Sequence, residues 1–289
     1  MPKEKKTMSL LTSAAMKKGR RNPQGFGVRR PSVAFDNLRR SKRRRTAGVQ
    51  DAVAANENSN DWLVWQLMDS AFPTGGFAHS SGLEAAWQHG EVRGRDELFA
   101  FIKASLDQLG HAGLPFVTAA FDAPDKLSEF DKLCDVFTTN HVANRASRAQ
   151  GRAFLTAVER IFGVGRASRR SPSQSKNSKK LETGAVPVLR FAHFAPVFGA
   201  SLRRLGLPRE TTGRMFFFNH LRGVLAAAVR LSIVGPMEAQ MLQHKLSSKA
   251  EIVLQQCESL SLDDLAQTAP LLDLWQGAHD RLYSRLFQS

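Results

Sequence analysis

Cysteine is scarce in this chain: Cys134 and Cys257 are its two thiols in 289 residues, and they form no CxxC pair. Such isolated cysteines do not support a disulfide framework, and a reducing compartment suits them. Long apolar runs are also missing. No stretch reaches the roughly 18 consecutive apolar residues a spanning helix needs. No basic start followed by an apolar h-region occurs either, which argues against a secretory signal. The sequence also lacks the common catalytic motifs. GxxxxGK[ST] and GxGxxG, which cradle phosphates, are absent, as are HExxH and GxSxG. The histidines are His79, His89, His111, His141, His193, His220, His244 and His279, and no two stand at i,i+3 or i,i+4. No helix therefore presents a metal-binding histidine pair, and each lone histidine reads first as a core or surface residue. No catalytic residue and no metal ligand is assigned.

Acidic residues are unevenly lacking, and this explains the formal charge of +15. Residues 1–60 carry 15 Lys/Arg against 4 Asp/Glu, and residues 163–183 carry 6 against 1. The rest of the chain is left at −1. The basic character thus sits in two segments without apolar periodicity, and a nucleic-acid-binding body is not indicated. Residues 1–60 read as a disordered basic extension, because so polar a stretch cannot offset its ordering entropy. The cluster Arg39-Arg40-Ser41-Lys42-Arg43-Arg44-Arg45 reads as a nuclear or organellar targeting signal, or as a solvated tail. Residues 163–183 read as a flexible basic insertion.

Between these segments the hydrophobic content, 42% over the whole chain, is ample for a core. Helical periodicity starts with Asp61 as a plausible N-cap, followed by Trp62, Leu63, Val64, Trp65, Leu67 and Met68. Further helices are expected at about 80–89, 95–110, 113–122, 125–139, 141–162, 190–205, 209–232, 236–257 and 270–284. No segment alternates with period two. The expected architecture is a single all-α helical bundle over residues 61–289.

Two helices carry distinctive faces. At 100° per residue, Arg145, Arg148 and Arg152 fall within roughly a 60° arc, opposite an apolar side. The ridge is a solvated face or a docking ridge for an acidic partner. The 209–232 helix is apolar nearly all round and belongs at the centre of the bundle. One stripe of it, Asn219, Arg222, Gly223, Ala226 and Arg230, offers small residues flanked by arginines, and reads as an interface or a partly exposed face. Between the first two helices lies the densest glycine-rich polar segment, Phe72-Pro73-Thr74-Gly75-Gly76-Phe77-Ala78-His79-Ser80-Ser81-Gly82-Leu83-Glu84. Gly75-Gly76 permits positive φ there, and Ser80 or Ser81 is suited to cap the helix containing Glu84.

From Trp65 to Glu84, WQLMDSAFPTGGFAHSSGLE resembles the opening signature of the urease accessory protein F family, LQLxDSxxPxGGFxxSxGLE. Three later stretches agree in order: HVANRASRAQG from His141, FNHLRGVLAAAVRLSIVGPMEAQ from Phe218, and APLLDLWQGAHDRLYSRLFQS from Ala269. The resemblance implies an all-α homodimer that is not itself an enzyme. It also implies partners: the urease accessory protein D (also called H), the GTPase accessory protein G, and apo-urease. Nickel would be handled by the assembled complex, on a passage this chain helps to line, and no cofactor would be held here. By motif, Gly75, Gly76, Phe77, His79, Ser80, Gly82 and Glu84 match the loop. Arg145 and Arg148 match the arginine helix, Arg222 and Arg230 the central helix, and Tyr283, Arg285, Leu286 and Phe287 the tail. All of these are expected to contact partners. Ala78-His79 replaces a common Ser-Tyr, and Gln288 a common arginine. The two basic segments lie outside the family pattern and suggest a eukaryotic member. A cytoplasmic location is expected, with no membrane contact.

Overall fold

The computed structural model describes residues 60–164 and 189–289; the basic extension and nearly all of the basic insertion lie outside them. Among the described residues the chain is helical and contains no strand. In order, the helices are α1 (60–68), α2 (Leu83–Gln88), α3 (Arg95–Gln108), α4 (Leu114–Asp122), α5 (Leu127–Phe137), α6 (His141–Phe162), α7 (Phe194–Arg204), α8 (Arg209–Arg230), α9 (Pro236–Cys257) and α10 (Pro270–Ala278). A π-turn at Leu109–Gly113 joins α3 to α4, so two helices expected to be separate run on continuously.

Local signals set most boundaries. Asn140 caps α6 by accepting the N–H groups of Val142 (3.0 Å) and Ala143 (3.1 Å), and Gly163 closes the helix at φ 69. Pro236 and Pro270 start α9 and α10, where a missing N–H costs nothing. Residue 60 is already helical, so Asp61 lies inside α1 and is not its cap.

The core gathers around α7 and α8. Phe154, Phe194, Phe198 and Phe216 form an aromatic cluster with centroids 5.2 to 6.1 Å apart in tilted, stacked and edge-on pairs. At Gly199 of α7 a Cβ would lie 2.0 Å from the Val117 carbonyl oxygen, so glycine alone lets α4 approach this closely. Met215, Phe216, Phe217, Leu221, Val224 and Leu225 bury α8 as expected, while Phe218 is partly exposed.

A buried carboxylate fixes the entry to α7. Asp131 accepts the backbone N–H groups of Phe191 (3.0 Å), Ala192 (3.1 Å) and His193 (2.8 Å). The His193 ring bridges Asp135 and Ser147, each at 3.1 Å, and burial lowers its pKa. These bonds hold residues 191–193 non-helical, so α7 begins at Phe194 and not near 190.

Candidate partner-binding site

The glycine-rich loop between α1 and α2 is built to receive the end of the chain. Asp69 turns it by accepting the Ala71 N–H at 2.8 Å. Gly75 takes φ 70 and Gly82 φ 85. A Cβ on Gly82 would stand 3.0 Å from the Gln276 nitrogen, which brings α10 against the loop. Gly76 has neither a left-handed φ nor a crowded Cβ position. Gly82 is also the cap of α2, without a side-chain bond, so neither Ser80 nor Ser81 plays the expected capping role. The Ser80 hydroxyl is directed instead to the Ser289 carbonyl, at 3.4 Å.

The expected helix over 270–284 stops at Ala278. A single 3-10 turn, His279–Arg281, follows, and residues 282–289 run back over the loop. Glu84, on α2 and almost fully buried, drives this turn. Its carboxylate accepts the Leu286 N–H (2.5 Å), the Phe287 N–H (3.2 Å) and His279 Nε2 (3.0 Å). These bonds hold the tail against α2 just beyond the range expected to be helical, and the buried carboxylate needs them because an unpaired buried charge is costly.

On either side of His79 the two segments pair through the main chain. The Gln288 N–H reaches the Ala78 carbonyl at 2.8 Å, and the Ser80 N–H reaches the Ser289 carbonyl at 2.6 Å. The His79 ring meets the Ser289 hydroxyl, and its pKa is pushed down to about 4, first by burial and then by the positive neighbours Arg145 and His279. Arg230 ties both segments from α8: it donates to the Phe77 carbonyl at 2.5 Å and the Leu286 carbonyl at 3.4 Å, and lies 4.2 Å from the Phe287 ring centroid. Phe287 itself is buried.

The structure therefore sorts the residues the sequence grouped together. Gly82, Ser80, His79, Glu84, Arg230 and Phe287 are occupied within the chain. Arg222 donates to the Met68 carbonyl and, at 3.2 Å, to Asn219, and lies 5.7 Å from the ring centroids of Phe77 and Phe218. Arg145 grips Asp280 with two bonds, 3.1 and 2.8 Å, joined there by Arg285 (3.3 Å) and His141 (3.1 Å). That fork holds the Asp280 carboxyl down at about 2, with Arg145 the main cause. Arg148 lies apart, 5.2 Å from the Phe191 ring centroid.

The tail leaves two large apolar side chains outward, along with the exposed Arg281, Arg285 and Gln288. Tyr283 is fully exposed and Leu286 half-exposed, with the Ser284 carbonyl pinned by Gln88 at 2.8 Å. Beside them Leu271 and Leu274 of α10 are each about two-thirds exposed, and Trp87 of α2 two-fifths. Sequence reasoning missed Trp87, Leu271 and Leu274. The apolar spacing of α10 was visible, but not that its outer face stays bare. His279, Asp280 and Ser289 were also missed, because each meets a partner more than 130 positions away.

Two cavities enter the bundle beneath the loop. One of about 200 Å³ is bounded by His79, Gln150 and Arg222, and one of about 250 Å³ by Gln108, Asn140 and Gln267. Both are lined by Ser147, His220 and Gln276. His220 meets Ser105 at 3.1 Å, and burial pushes its pKa down to about 4. Among the described residues no group of three or more His, Cys, Asp or Glu is placed to hold a metal ion.

The described chain is thus an all-α bundle whose own tail closes a glycine-rich loop, and the comparisons identify its family. The UreF family model matches residues 92–247, more than half of the chain. The chain is 38% identical over 239 residues to "Urease accessory protein F" of Oryza sativa subsp. indica, covering 82% of this chain and 88% of that one. It is 38% identical over 231 residues to the protein of the same name in Arabidopsis thaliana, covering 79% and 92%. It is 29% identical over 227 residues to "Urease accessory protein UreF" of Mycobacterium tuberculosis, covering 78% and 98%. This chain belongs to the urease accessory protein F family.

Proposed function

We propose that the chain is a urease maturation factor acting as a non-catalytic scaffold in the cytoplasm. It binds accessory protein D/H through the tail face and recruits the GTPase accessory protein G through its arginine faces. The assembly then delivers nickel to apo-urease, with nickel as cargo and no cofactor held by this chain. The observation that carries the reading is the bare rim of Trp87, Leu271, Leu274, Tyr283 and Leu286, fixed on a tail that is itself bonded down. Large apolar side chains held rigidly in water suit the core of an interface, because little side-chain entropy is left to lose on binding.

The half-exposed stripe of α8 suits a second copy of the chain. At Gly223 nothing lies within 4 Å of where a Cβ would be, so another backbone can come close. The cavities that share His220 suit a passage for the cargo, lined by Ser147, His220 and Gln276 and, among the described residues, by no chelating cluster.

The test is co-expression of the tagged full-length chain with its cognate D/H and G proteins, beside a version lacking residues 283–289. The full chain is expected to recover both partners and the shortened one to lose D/H. Recovery of neither partner by a folded full-length chain would overturn the reading.

A further inference from the structure

The arginine ridge of α6 lines a groove that adjoins the Asp280 fork through His141 and Arg145. The groove, about 820 Å³, lies between the end of α5 and the outer face of α6, with Val136, Thr138, Thr139, Arg148 and Arg152 on its walls. Its three ridge arginines are not equivalent. Arg145 is spent on Asp280. Among the described residues Arg148 and Arg152 have no carboxylate at ion-pair distance, and neither has Arg190. Arg148 and Arg190 each lie 5.2 Å from the centroid of one ring, Phe191. Phe191 is held in turn by its N–H bond to buried Asp131 at 3.0 Å. Exposed guanidiniums without an ion-paired carboxylate attract an anionic partner.

We propose that this groove binds an extended acidic segment of a partner protein. Arg148 and Arg152 take its carboxylates, and Val136, three-quarters exposed, takes an apolar side chain beside them. One feature favours a peptide over a phosphate backbone: the wall offers an exposed aliphatic side chain, Val136, which nucleic-acid backbones do not use. The inference sharpens the scaffold reading and depends on it only in taking a protein as the ligand.

The full-length protein would be titrated by fluorescence polarisation with a labelled twelve-residue peptide of alternating Glu and Leu, and with a single-stranded oligonucleotide of matched charge. Arg148→Glu/Arg152→Glu is expected to weaken the peptide about tenfold, as loss and reversal of two close charges should. Arg152→Glu alone, fully at the surface, is expected to weaken it about threefold. Arg43→Glu/Arg44→Glu, in the basic extension, is expected to change peptide binding less than about twofold. Equal weakening by the extension variant would overturn the proposal. So would loss of oligonucleotide binding with peptide binding kept. The peptide contains no urease component, so these results and the co-expression test fail independently.

Discussion

The phenylalanine cluster around α7 and the tail clamp around Glu84 hold the same chain together by opposite means. In the first, Phe154, Phe194, Phe198 and Phe216 bury rings against each other and use no polar atom. In the second, the Glu84 carboxylate accepts two main-chain N–H groups from about 200 positions away and meets the His279 ring, His79 meets the Ser289 hydroxyl, and Arg230 donates to main-chain carbonyls of both loop and tail. Apolar burial is non-directional and tolerates neighbours of similar volume. A buried carboxylate tolerates little, because any lost donor leaves it uncompensated. The clamp therefore specifies where the tail lies, while the cluster supplies stability.

The largest effect that separates the two should come from Phe198→Ala. It removes a ring that contacts three others, and is expected to cost about 3–5 kcal/mol in chemical denaturation while leaving the tail's bonds intact in the folded fraction. Acid comes next. His79 and His220 have pKa values near 4 in the folded chain, below the ordinary value of 6.5, so the unfolded state binds more protons between these limits. Stability is accordingly full above pH 6.5 and falls as the pH drops towards 4, by at most about 1.4 kcal/mol per pH unit for each imidazole. His79→Gln is expected to flatten part of that slope, measured as the thermal midpoint across this range.

A smaller global effect, about 2 kcal/mol, is expected from Glu84→Gln, which keeps the volume but removes the charge facing His279 and two N–H groups. Its clearer readout is local: trypsin should cut at Arg281 and Arg285 much faster than in the parent chain. Arg145→Ala should change stability least, by less than about 1 kcal/mol, since its partner Asp280 is partly open to solvent. Asp280 is lowered from 3.8 to about 2, so its contribution is present above pH 3.8 and is lost as the pH falls through 2. The Arg145→Ala variant should therefore differ from the parent at neutral pH and converge with it below pH 2.

The sequence is legible where structure is local. The apolar side of α6, the central burial of most of α8 and the turn at Phe72–Gly76 follow from periodicity and from Pro and Gly placement. The course of the tail after the helix expected to reach 284 rests on contacts no window contains, since Glu84 binds the N–H groups of Leu286 and Phe287 across some 200 residues. The arginine ridge shows the same limit. Arg145, Arg148 and Arg152 look alike on a helical wheel, and only the remote Asp280 separates the first from the others. The family motifs gathered the loop and the tail as functional residues, but not the fact that the two bind each other.

The central claim is that the docked tail presents a rigid apolar face to the D/H partner. Its most direct test is calorimetric titration of the cognate D/H protein into the full-length chain and into Tyr283→Ala/Leu286→Asp. Both substituted side chains are exposed, so the fold and the clamp should survive unchanged. Loss of affinity of about a hundredfold, with helical content and trypsin resistance retained, is the predicted result. Unchanged affinity in a well-folded variant would contradict the account and move the interface elsewhere on the bundle.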